Sequence, residues 1–210
     1  MSKQTILITG GAGFIGHHII NKFLSNTNYN LISLDRLDYS GTYNRIQEII
    51  DNNPLWRKRI KIVWHDLKAE INPITKKQIG NPEIILHVAA ASHVDRSIEN
   101  PISFVLDNVV GTVNLLEFAR KNKKLKKFLY FSTDEVFGPA PNNIRYSEND
   151  RYRSTNPYAA TKAGAEELCV AYTNTYKMPI MITHTMNVFG ERQHPEKFIP
   201  RIINSLIKKN

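Results

Sequence analysis

The chain has 210 residues, a formal net charge of +9 and a single cysteine, Cys169. This length suits one domain, or one domain and part of another, and is enough for a substantial core. With 41% hydrophobic and 22% charged residues, the composition is that of a globular protein. One cysteine excludes an intrachain disulfide and suits a reducing cytosol.

We find no apolar run that approaches the roughly 20 residues of a membrane span, and the first residues lack a signal-peptide pattern. We therefore expect a cytoplasmic protein with no membrane partner. Much of the excess positive charge lies in residues 121–127, KNKKLKK. No aromatic residues interleave with these lysines and no nucleic-acid motif accompanies them. A solvated corner is favoured there over a nucleic-acid partner, and RNA binding is the weakest alternative.

The first predicted elements are a strand, a glycine-rich turn and a helix. Residues 4–9 form an apolar, β-branched run that predicts a buried strand. Four glycines follow, at Gly10, Gly11, Gly13 and Gly16. They fit both G-x-G-x-x-G and G-x-x-G-x-x-G, a spacing that lets the backbone turn tightly and approach a pyrophosphate. The helix N-terminus would then face the phosphates; an ordinary strand–helix turn is the weaker alternative.

A carboxylate follows the second predicted strand at the distance typical of a dinucleotide fold. Residues 31–34 are apolar, and Asp35 lies 19 residues after Gly16. Such folds place the acid that binds a ribose 2′-hydroxyl roughly 20 residues on. An acidic side chain favours NAD because it would repel the 2′-phosphate of NADP. Arg36 beside it leaves NADP open.

Strands and helices alternate along the rest of the chain. Further strands are predicted at residues 59–64, 83–88, 127–132 and 180–185, and helices around Ile46 to Ile50, at 101–122, from Pro157 and at 199–207. This alternation predicts an α/β fold, a Rossmann-like doubly wound parallel sheet with helices on both faces. We assign residues 1–186 to an NAD-binding Rossmann domain that carries the catalytic residues. Residues 187–210 would begin a substrate-binding region.

Two strand ends carry further candidate contacts. Asp66 follows the third strand, where a carboxylate commonly meets the adenine; a helix N-cap is the alternative. Ala89 and Ala90 follow the fourth strand, and such small residues let a flat cofactor lie against the sheet. His93 and Asp95 nearby are only two possible ligands, so we predict no metal site.

Tyr158 and Lys162 form a Y-x-x-x-K pair on one face of the helix that begins at Pro157. A phenol with a pKa of about 10 is a poor base at neutral pH. A nearby ammonium and a positive nicotinamide ring favour the phenolate. Ser132 and Thr133 add hydroxyls at the end of the fifth strand. An incidental pair on a helix surface is the alternative.

These motifs resemble the extended short-chain dehydrogenase/reductase family. TGGAGFIG, DNVVGT, STDEVFG and YAATK occur at comparable intervals. The segments HVAAASHVDRS, STDEVFG, YAATKAGAE and NVFGERQHPEKFIP narrow the resemblance to nucleotide-sugar 4,6-dehydratases of the dTDP-glucose or UDP-glucose type. It covers essentially the whole chain, and the Thr-Asp-Glu triplet is its most specific part.

The resemblance implies a reaction with bound NAD as the cofactor. Tyr158, helped by Thr133, would take the proton of the C4 hydroxyl while a hydride passes to NAD⁺. The C4 ketone makes the C5 proton acidic; Glu135 would abstract that proton, and Asp134 would protonate the leaving C6 hydroxyl. Return of the hydride to C6 would give a 4-keto-6-deoxy sugar. The alternative for Asp134 and Glu135 is a solvated turn.

The resemblance also implies a set of contacts in addition to the catalytic Thr133, Asp134, Glu135, Tyr158 and Lys162. Cofactor contacts would be Gly10, Gly13, Phe14, Ile15, Gly16, Asp35, Arg36, Asp66, Leu67, Ala89, Ala90, Asn108, Tyr158, Lys162 and Val188. Substrate contacts would be Ser92, Thr133, Asn187, Glu196 and Lys197. The sequence departs from the pattern at Ala91, where Glu or Gln is usual. It also departs at Val188, where the bacterial dTDP type has a second Asn, which leaves UDP open.

Members of this family continue beyond residue 210, so we expect the C-terminal substrate domain to be largely absent. The chain as given would bind NAD but hold a nucleotide sugar poorly. A 4-epimerase or decarboxylase of the same family and a catalytically silent NAD-binding module are the alternatives. The family often dimerises through the helices that hold Asn108 and Tyr158, so we expect a homodimer. Leu115, Leu168 and Tyr172 would suit that interface or an intrachain core.

Overall fold

The structure, a computed structural model, describes residues 3–208. Six strands form one sheet: β1 (Thr5–Thr9), β2 (Asn30–Asp35), β3 (Ile60–Trp64), β4 (Ile84–His87), β5 (Lys127–Thr133) and β6 (Ile180–Thr185). All neighbouring pairs are parallel, in the order β3-β2-β1-β4-β5-β6. The predicted doubly wound parallel sheet is confirmed, and each strand lies within two residues of its predicted bounds.

Seven helices lie within the described residues: α1 (Phe14–Asn26), α2 (Tyr43–Asn52), α3 (Pro73–Ile79), α4 (Val94–Glu99), α5 (Pro101–Arg120), α6 (Pro157–Tyr176) and α7 (Phe198–Ile207), the last of which has no buried residue. Short 3₁₀ turns occupy Pro54–Arg59 and Asp134–Phe137, and α5 contains a π-helical turn at Val105–Val110. The sequence analysis missed α3 and α4. Both are too short to show a helical hydrophobic period.

The core lies on both faces of the sheet, which explains why the strands are apolar almost throughout. Alternate residues of β1 face opposite ways. Ile6 and Ile8 pack with Ile20 of α1 and Ile46 of α2. Leu7 packs on the other face, in the cluster that includes residues of α5 and α6. Each such fully buried aliphatic side chain contributes about 1.5–3 kcal/mol from removal of apolar surface from water.

Helix α5 corrects one of our expectations. It is 20 residues long with a mean hydropathy of 1.3, so by length and composition it is the one helix within residues 3–208 that could cross a membrane. We expected no such run. In this fold the helix lies against the sheet, with Leu115 and Leu116 fully buried in the core. The apolar residues therefore serve the core of the Rossmann fold.

The residues that we considered for a dimer interface also belong to the chain's own core. Leu115 has no exposed surface, and Leu168 and Tyr172 pack against the same cluster. The Tyr172 hydroxyl donates to Glu117 at 2.8 Å, which ties α6 to α5. These three side chains hold the two long helices together within one chain. Leu115 is fully buried, whereas Leu168 and Tyr172 keep some exposed surface, so the dimer interface stays a prediction.

The strand order places a crevice at one edge of the sheet. β1 neighbours both β2 and β4, so the connections run to opposite sides of β1. The carboxyl ends of parallel strands all point to the same edge, and ligands bind where the strand order reverses. The loops that follow β1, β2, β4 and β5 therefore meet at this crevice.

Candidate functional site

The glycine turn between β1 and α1 is shaped by contacts that only glycine allows. Gly10 has a φ of +67°, and a Cβ there would lie 2.8 Å from the Ala89 Cα. A Cβ on Gly16 would lie 2.1 Å from the Gly10 carbonyl oxygen. These two glycines let the turn close tightly against β4. The first N–H groups of α1 have no partner within the helix and point towards the crevice.

A cleft of about 340 Å³ opens at this edge of the sheet. The predicted residues that line it are Gly10, Gly13, Phe14, Ile15, Gly16, Asp35, Arg36, Asp66, Leu67, Ala89, Ala90, Ser92, Thr133, Glu135, Tyr158, Lys162, Asn187, Val188, Glu196 and Lys197. Two predicted residues, Asn108 and Asp134, do not line it. The fold thus gathers residues from most of the chain around one cavity, although their binding roles stay predictions.

Asp35 lies at one end of the cleft and is held by backbone amides. Its two carboxylate oxygens accept the N–H groups of Ala12 at 3.0 Å and Leu37 at 2.9 Å. Burial raises the pKa of Asp35, and these two hydrogen bonds oppose that rise. A Cβ on Gly41 would meet the carboxylate at 2.7 Å. The surroundings therefore fix the carboxylate in one orientation facing the cleft.

Arg36 is engaged by carboxylates rather than free to bind a phosphate. Its guanidinium donates to Asp38 at 2.5 Å and to both oxygens of Asp107 at 2.5 and 3.2 Å. Asp66 lies 3.9 Å away. The Asp66 side chain accepts the Lys68 N–H at 3.0 Å in a short turn and does not cap a helix. This end of the cleft is acidic overall and suits a ribose hydroxyl better than an added phosphate.

Asn108 lies behind the cleft wall, with 2% of its surface exposed. Its amide accepts the Ala91 N–H at 2.8 Å and donates to the Ala91 carbonyl at 3.0 Å and to Thr161 Oγ1 at 2.9 Å. A direct contact with the cofactor does not fit that position. The π-helical turn of α5 places Asn108 so that it holds the Ala91 backbone, which forms part of the wall. Asn108 thus hydrogen-bonds the backbone at position 91, where the resembled enzymes usually carry a Glu or Gln side chain.

A buried histidine links the strands below this wall. His87 Nδ1 lies 2.8 Å from Thr9 Oγ1, and Nε2 lies 3.0 Å from Thr112 Oγ1. Thr112 already donates its hydroxyl proton to the Asn108 carbonyl at 2.6 Å, so Nε2 must carry the ring proton. Burial, with a smaller effect of the Lys162 charge, lowers the pKa of His87 to about 3. The ring is neutral at physiological pH and connects β1, β4 and α5.

The opposite wall brings together the residues proposed for chemistry. Thr133 ends β5, Glu135 lies in the 3₁₀ turn that follows, and Tyr158 and Lys162 lie one turn apart on α6. The Thr133 hydroxyl accepts the Glu135 N–H at 3.3 Å, which fixes the start of the turn. Asp134 is half-buried beside Thr133, whose hydroxyl donates to it at 3.3 Å, but it does not line the cleft.

Tyr158 and Lys162 have strongly shifted acidities. Burial raises the pKa of Tyr158 to about 12, with a further rise from the charge of Glu135, while hydrogen bonding by Thr133 opposes it. Burial lowers the pKa of Lys162 to about 7. The Lys162 ammonium donates to the Phe131 carbonyl at 2.5 Å. We expected a neighbouring ammonium and a positive nicotinamide ring to lower the pKa of the phenol; in the protein alone, burial and the charge of Glu135 raise it.

The residues after β6 close part of the cleft, and we call residues 187–197 the C-terminal strap. Lys197 donates to the Ser92 carbonyl at 2.9 Å, and Glu196 pairs with Arg96 at 2.5 Å and with His93 at 3.3 Å. Burial lowers the pKa of Lys197, and the charges of Glu135, Glu196 and Asp95 oppose this. The strap therefore joins the far end of the chain to the loop after β4.

Buried polar atoms in the cleft lack partners in the described part of the chain. They are Ser132 Oγ, His93 Nδ1 and Gln193 Oε1. Leaving such an atom unpaired costs about 1–3 kcal/mol. Within residues 3–208, no group of three or more His, Cys, Asp or Glu side chains is placed to hold a metal ion.

Sequence reasoning missed several residues that shape the cleft. Asp107 pairs with Arg36, and Arg96 lies over the Tyr39 ring with its guanidinium carbon 4.5 Å from the ring centroid. Asn156 contacts Glu135 through its side-chain amide. Asp107 lies in the segment DNVVGT and Arg96 in HVAAASHVDRS, but neither segment indicates these contacts, and only the fold brings the partners together. For Asn156 alone the sequence offers an indication, because an asparagine before Pro157 is typical of a helix N-cap.

The sequence model of the family described as GDP-mannose 4,6 dehydratase matches residues 7–210. The chain belongs to this family. The resemblance to nucleotide-sugar 4,6-dehydratases of the extended short-chain dehydrogenase/reductase type is thereby confirmed.

Relatives and solved structures agree with membership of the GDP-mannose 4,6 dehydratase family. A dTDP-D-glucose 4,6-dehydratase from Dictyostelium discoideum is 41% identical and aligns with 97% of this chain and 48% of its own length. The structure of a dTDP-glucose 4,6-dehydratase from Streptomyces venezuelae with NAD bound is 33% identical, with a TM-score of 0.88, over 99% of this chain and 63% of that one. A UDP-glucuronic acid 4-epimerase from Bacillus cereus with NAD is also similar, at 28% identity, a TM-score of 0.85 and coverage of 99% and 64%.

The chain spans about half to just under two thirds of the length of these proteins. Dehydratases and epimerases of the wider superfamily share its fold, so the fold by itself does not choose between the two reactions. The choice depends on the side chains of the cleft.

Proposed function

We propose that this protein binds NAD and dehydrates a nucleoside-diphosphate glucose to the 4-keto-6-deoxy sugar. The observation that carries the proposal is that Glu135 and Tyr158 line the same cleft as the glycine turn. An epimerase needs the oxidation and reduction at C4 alone, whereas a dehydratase also needs a base for the C5 proton. A carboxylate beside the phenol supplies that base.

The described residues fit NAD at both ends of the cleft. The glycine turn leaves room for a pyrophosphate, and Gly13 in particular has no close side-chain neighbour, its nearest contact for a Cβ being the Gly10 carbonyl at 3.1 Å. Asp35 would hold a ribose hydroxyl. Arg36 is engaged by Asp38 and Asp107, which favours NAD over NADP. NAD would supply the acceptor for the hydride at C4 and its donor at C6.

The side chains would move the protons of the reaction. Tyr158 would accept the C4 hydroxyl proton with Thr133 beside it, and a neighbouring positive charge is required because the pKa of the phenol is raised to about 12. Lys162 is the buried cation of this wall. Glu135 would abstract the C5 proton. For the leaving C6 hydroxyl, Asp134 remains our proposed acid, although its carboxyl must turn towards the cleft to reach it.

The dehydration is tested by incubating the native protein, purified from its source organism, with dTDP-glucose or UDP-glucose without added reductant. We expect a 4-keto-6-deoxy sugar, detected by its alkali-induced absorbance, and a fall of about 100-fold or more in Glu135→Gln. Glu167→Gln, at an exposed position on α6, is the matched control and should be unaffected. A C4 epimer as the product would favour the epimerase reading, whereas normal dehydration by Glu135→Gln would show that Glu135 is not the base.

Cofactor choice is tested on the 210-residue chain by calorimetric titration with NAD and NADP. We expect NAD to bind more tightly, because the Asp35 carboxylate would face the 2′-phosphate of NADP. Asp35→Ala should weaken NAD binding and narrow the difference between the two cofactors. Equal binding of NADP by the unmodified chain would contradict the proposed role of Asp35.

We also propose that the protein is cytoplasmic and forms a homodimer through exposed faces of α5 and α6. Ile102, Val105 and Leu106 on α5 are 71%, 44% and 41% exposed, and Val170 on α6 is 39% exposed. We propose these exposed residues for the dimer interface in place of the fully buried Leu115. Leu106→Arg should give a monomer by sedimentation, while Ile74→Arg, at an exposed site on α3, should not.

A further inference from the structure

Asn156 connects the helix that carries Tyr158 to the carboxylate proposed as the base. Its side-chain oxygen Oδ1 accepts the Ala159 N–H at 2.8 Å, which caps α6. Its Nδ2 donates to Glu135 Oε2 at 3.2 Å. One short side chain therefore joins the start of α6 to the 3₁₀ turn after β5.

The orientation of the Asn156 amide follows from its partners. The Ala159 N–H can only donate, so the atom that faces it must be the side-chain oxygen. The NH₂ group is then directed at Glu135, where it can donate to the carboxylate. A reversed amide would lose both hydrogen bonds, so the two partners fix a single arrangement.

Glu135 is held at its backbone N–H and at its side-chain carboxylate. The Glu135 N–H is held by the Thr133 hydroxyl at 3.3 Å, and the carboxylate is held by Asn156. Tyr158 lies two residues after Asn156 on the capped first turn of α6. Fixing the cap therefore fixes the spacing between the Tyr158 phenol and the Glu135 carboxylate.

Charged groups around Glu135 make this donor important. Tyr158 and Lys197 both interact with its charge: Glu135 raises the pKa of each. Asp134 is adjacent in sequence and adds a second negative charge. A neutral donor favours the ionised carboxylate without adding a charge of its own.

We propose that Asn156 is a positioning residue that orients the Glu135 carboxylate for abstraction of the C5 proton. This inference rests on the proposed dehydratase function. The capping role alone would be met equally well by serine or aspartate, since both are good N-cap residues. Asparagine combines the cap with an amide donor long enough to reach the Glu135 carboxylate.

The test introduces Asn156→Ser and Asn156→Asp into the native protein. Serine keeps the cap but loses the amide donor, and we expect dehydration to fall about 10- to 100-fold, the factor for a lost hydrogen bond to a charged group. Formation of reduced NAD from the C4 oxidation should fall less. In Asn156→Asp, the acidic limb of the pH–rate profile should move to higher pH, because a second carboxylate opposes ionisation of Glu135.

Asn72→Ser is the matched control. Asn72 also precedes a proline and caps a helix, accepting the Thr75 N–H at 2.9 Å at the start of α3, away from the cleft. We expect this variant to keep the rate and the pH profile. Normal dehydration and an unmoved pH profile in both Asn156 variants would overturn the inference while leaving the proposed function intact. Absence of dehydration by the unmodified protein would instead overturn the proposed function.

A measurement without cofactor or substrate completes the test. Urea unfolding gives the free energy of unfolding of the ligand-free 210-residue chain and of three variants, Asn156→Ser, Glu135→Gln and the double variant. If the two side chains interact as described, the two losses of stability will not add. Strict additivity would show that the contact is not made and would overturn the inference even if the rates had changed.

Discussion

At the scale of single residues, the cleft depends most on positions where a side chain would not fit. Gly16 lies in the first turn of α1, packed against the Gly10 carbonyl and the Gly11 Cα. In the glycine motif, this third glycine is expected to allow close packing of the helix against the strand. The structure shows that the close neighbour is the backbone of the turn itself, which cannot move aside without opening the candidate phosphate site.

Gly16→Ala should destabilise the protein and weaken NAD binding together. A Cβ would lie 2.1 Å from a carbonyl oxygen, and we expect a loss of about 1–3 kcal/mol or more in the free energy of unfolding. Gly164→Ala in α6 is the control, because its nearest contact would be Val109 at 3.8 Å. This control should gain up to about 1 kcal/mol from helix propensity. Urea unfolding measures both; similar stability of the two variants would refute the steric argument.

Chemical motifs with a fixed spacing predicted residues that the fold brings to one cleft. Gly10, Gly13, Gly16, Asp35 and the Tyr158–Lys162 pair all line it, and their binding and catalytic roles stay predictions. Prediction failed where the direction of a side chain depends on distant packing. Asn108 turns away from the cleft towards Ala91, because the π-helical turn of α5 shifts its position on the helix. The motif that contains Asn108 does not show that shift.

At the scale of elements, α6 organises a second buried network beside the part of the cleft lined by Tyr158 and Lys162. Glu166 lies one turn after Lys162 and is 1% exposed. Its Oε1 accepts the Tyr152 hydroxyl and pairs with His184 of β6 at 2.7 Å. Burial and the Glu166 charge raise the pKa of Tyr152, so it remains a donor. This network ties the segment between β5 and α6 to the helix and to the sheet.

Tyr152→Phe should loosen that segment. The substitution removes one donor from a buried carboxylate, and we expect a loss of about 1–3 kcal/mol in stability. Amide hydrogen exchange in residues 138–156 should become faster. Tyr146→Phe is the control, since the Tyr146 hydroxyl donates to the exposed Pro139 carbonyl at 3.1 Å. Equal effects of the two substitutions would show that the buried network does not anchor the segment.

The elements themselves were predictable in proportion to their length. Six strands and the long helices show clear periods in the sequence, and all lie near their predicted bounds. Helices α3 and α4 and the 3₁₀ turn at Asp134–Phe137 are too short to show a period. That turn is decisive for the site, because it separates Glu135, which lines the cleft, from its neighbour Asp134, which does not.

At the scale of the whole molecule, His87 makes stability depend on pH. The pKa of His87 is about 3 in the folded protein, against an ordinary value of 6.5. The unfolded chain therefore binds a proton below about pH 6.5 that the folded chain does not accept until about pH 3. Stability should be full above this window and should be lost as the pH falls through it.

The measurement is urea unfolding of the 210-residue chain between pH 7 and pH 4, compared with His87→Gln. The unmodified chain should lose up to about 1.4 kcal/mol more per pH unit than the variant, the slope for one proton. The variant should be less stable at pH 7, because it cannot satisfy both Thr9 and Thr112 in the same geometry. Parallel pH profiles would show that His87 is not buried in its neutral form.

The sequence by itself determined the sheet, the crossover helices, the glycine turn and the candidate acid–base groups. These features depend on local patterns, in which apolar periodicity, glycine spacing and a helical repeat act within a few residues of one another. Tertiary structure alone decided the raised pKa of Tyr158, the engagement of Arg36 by Asp107 and the contact of Asn156 with Glu135. Each of these depends on burial or on groups brought together from distant parts of the chain, and such distances exist only after folding.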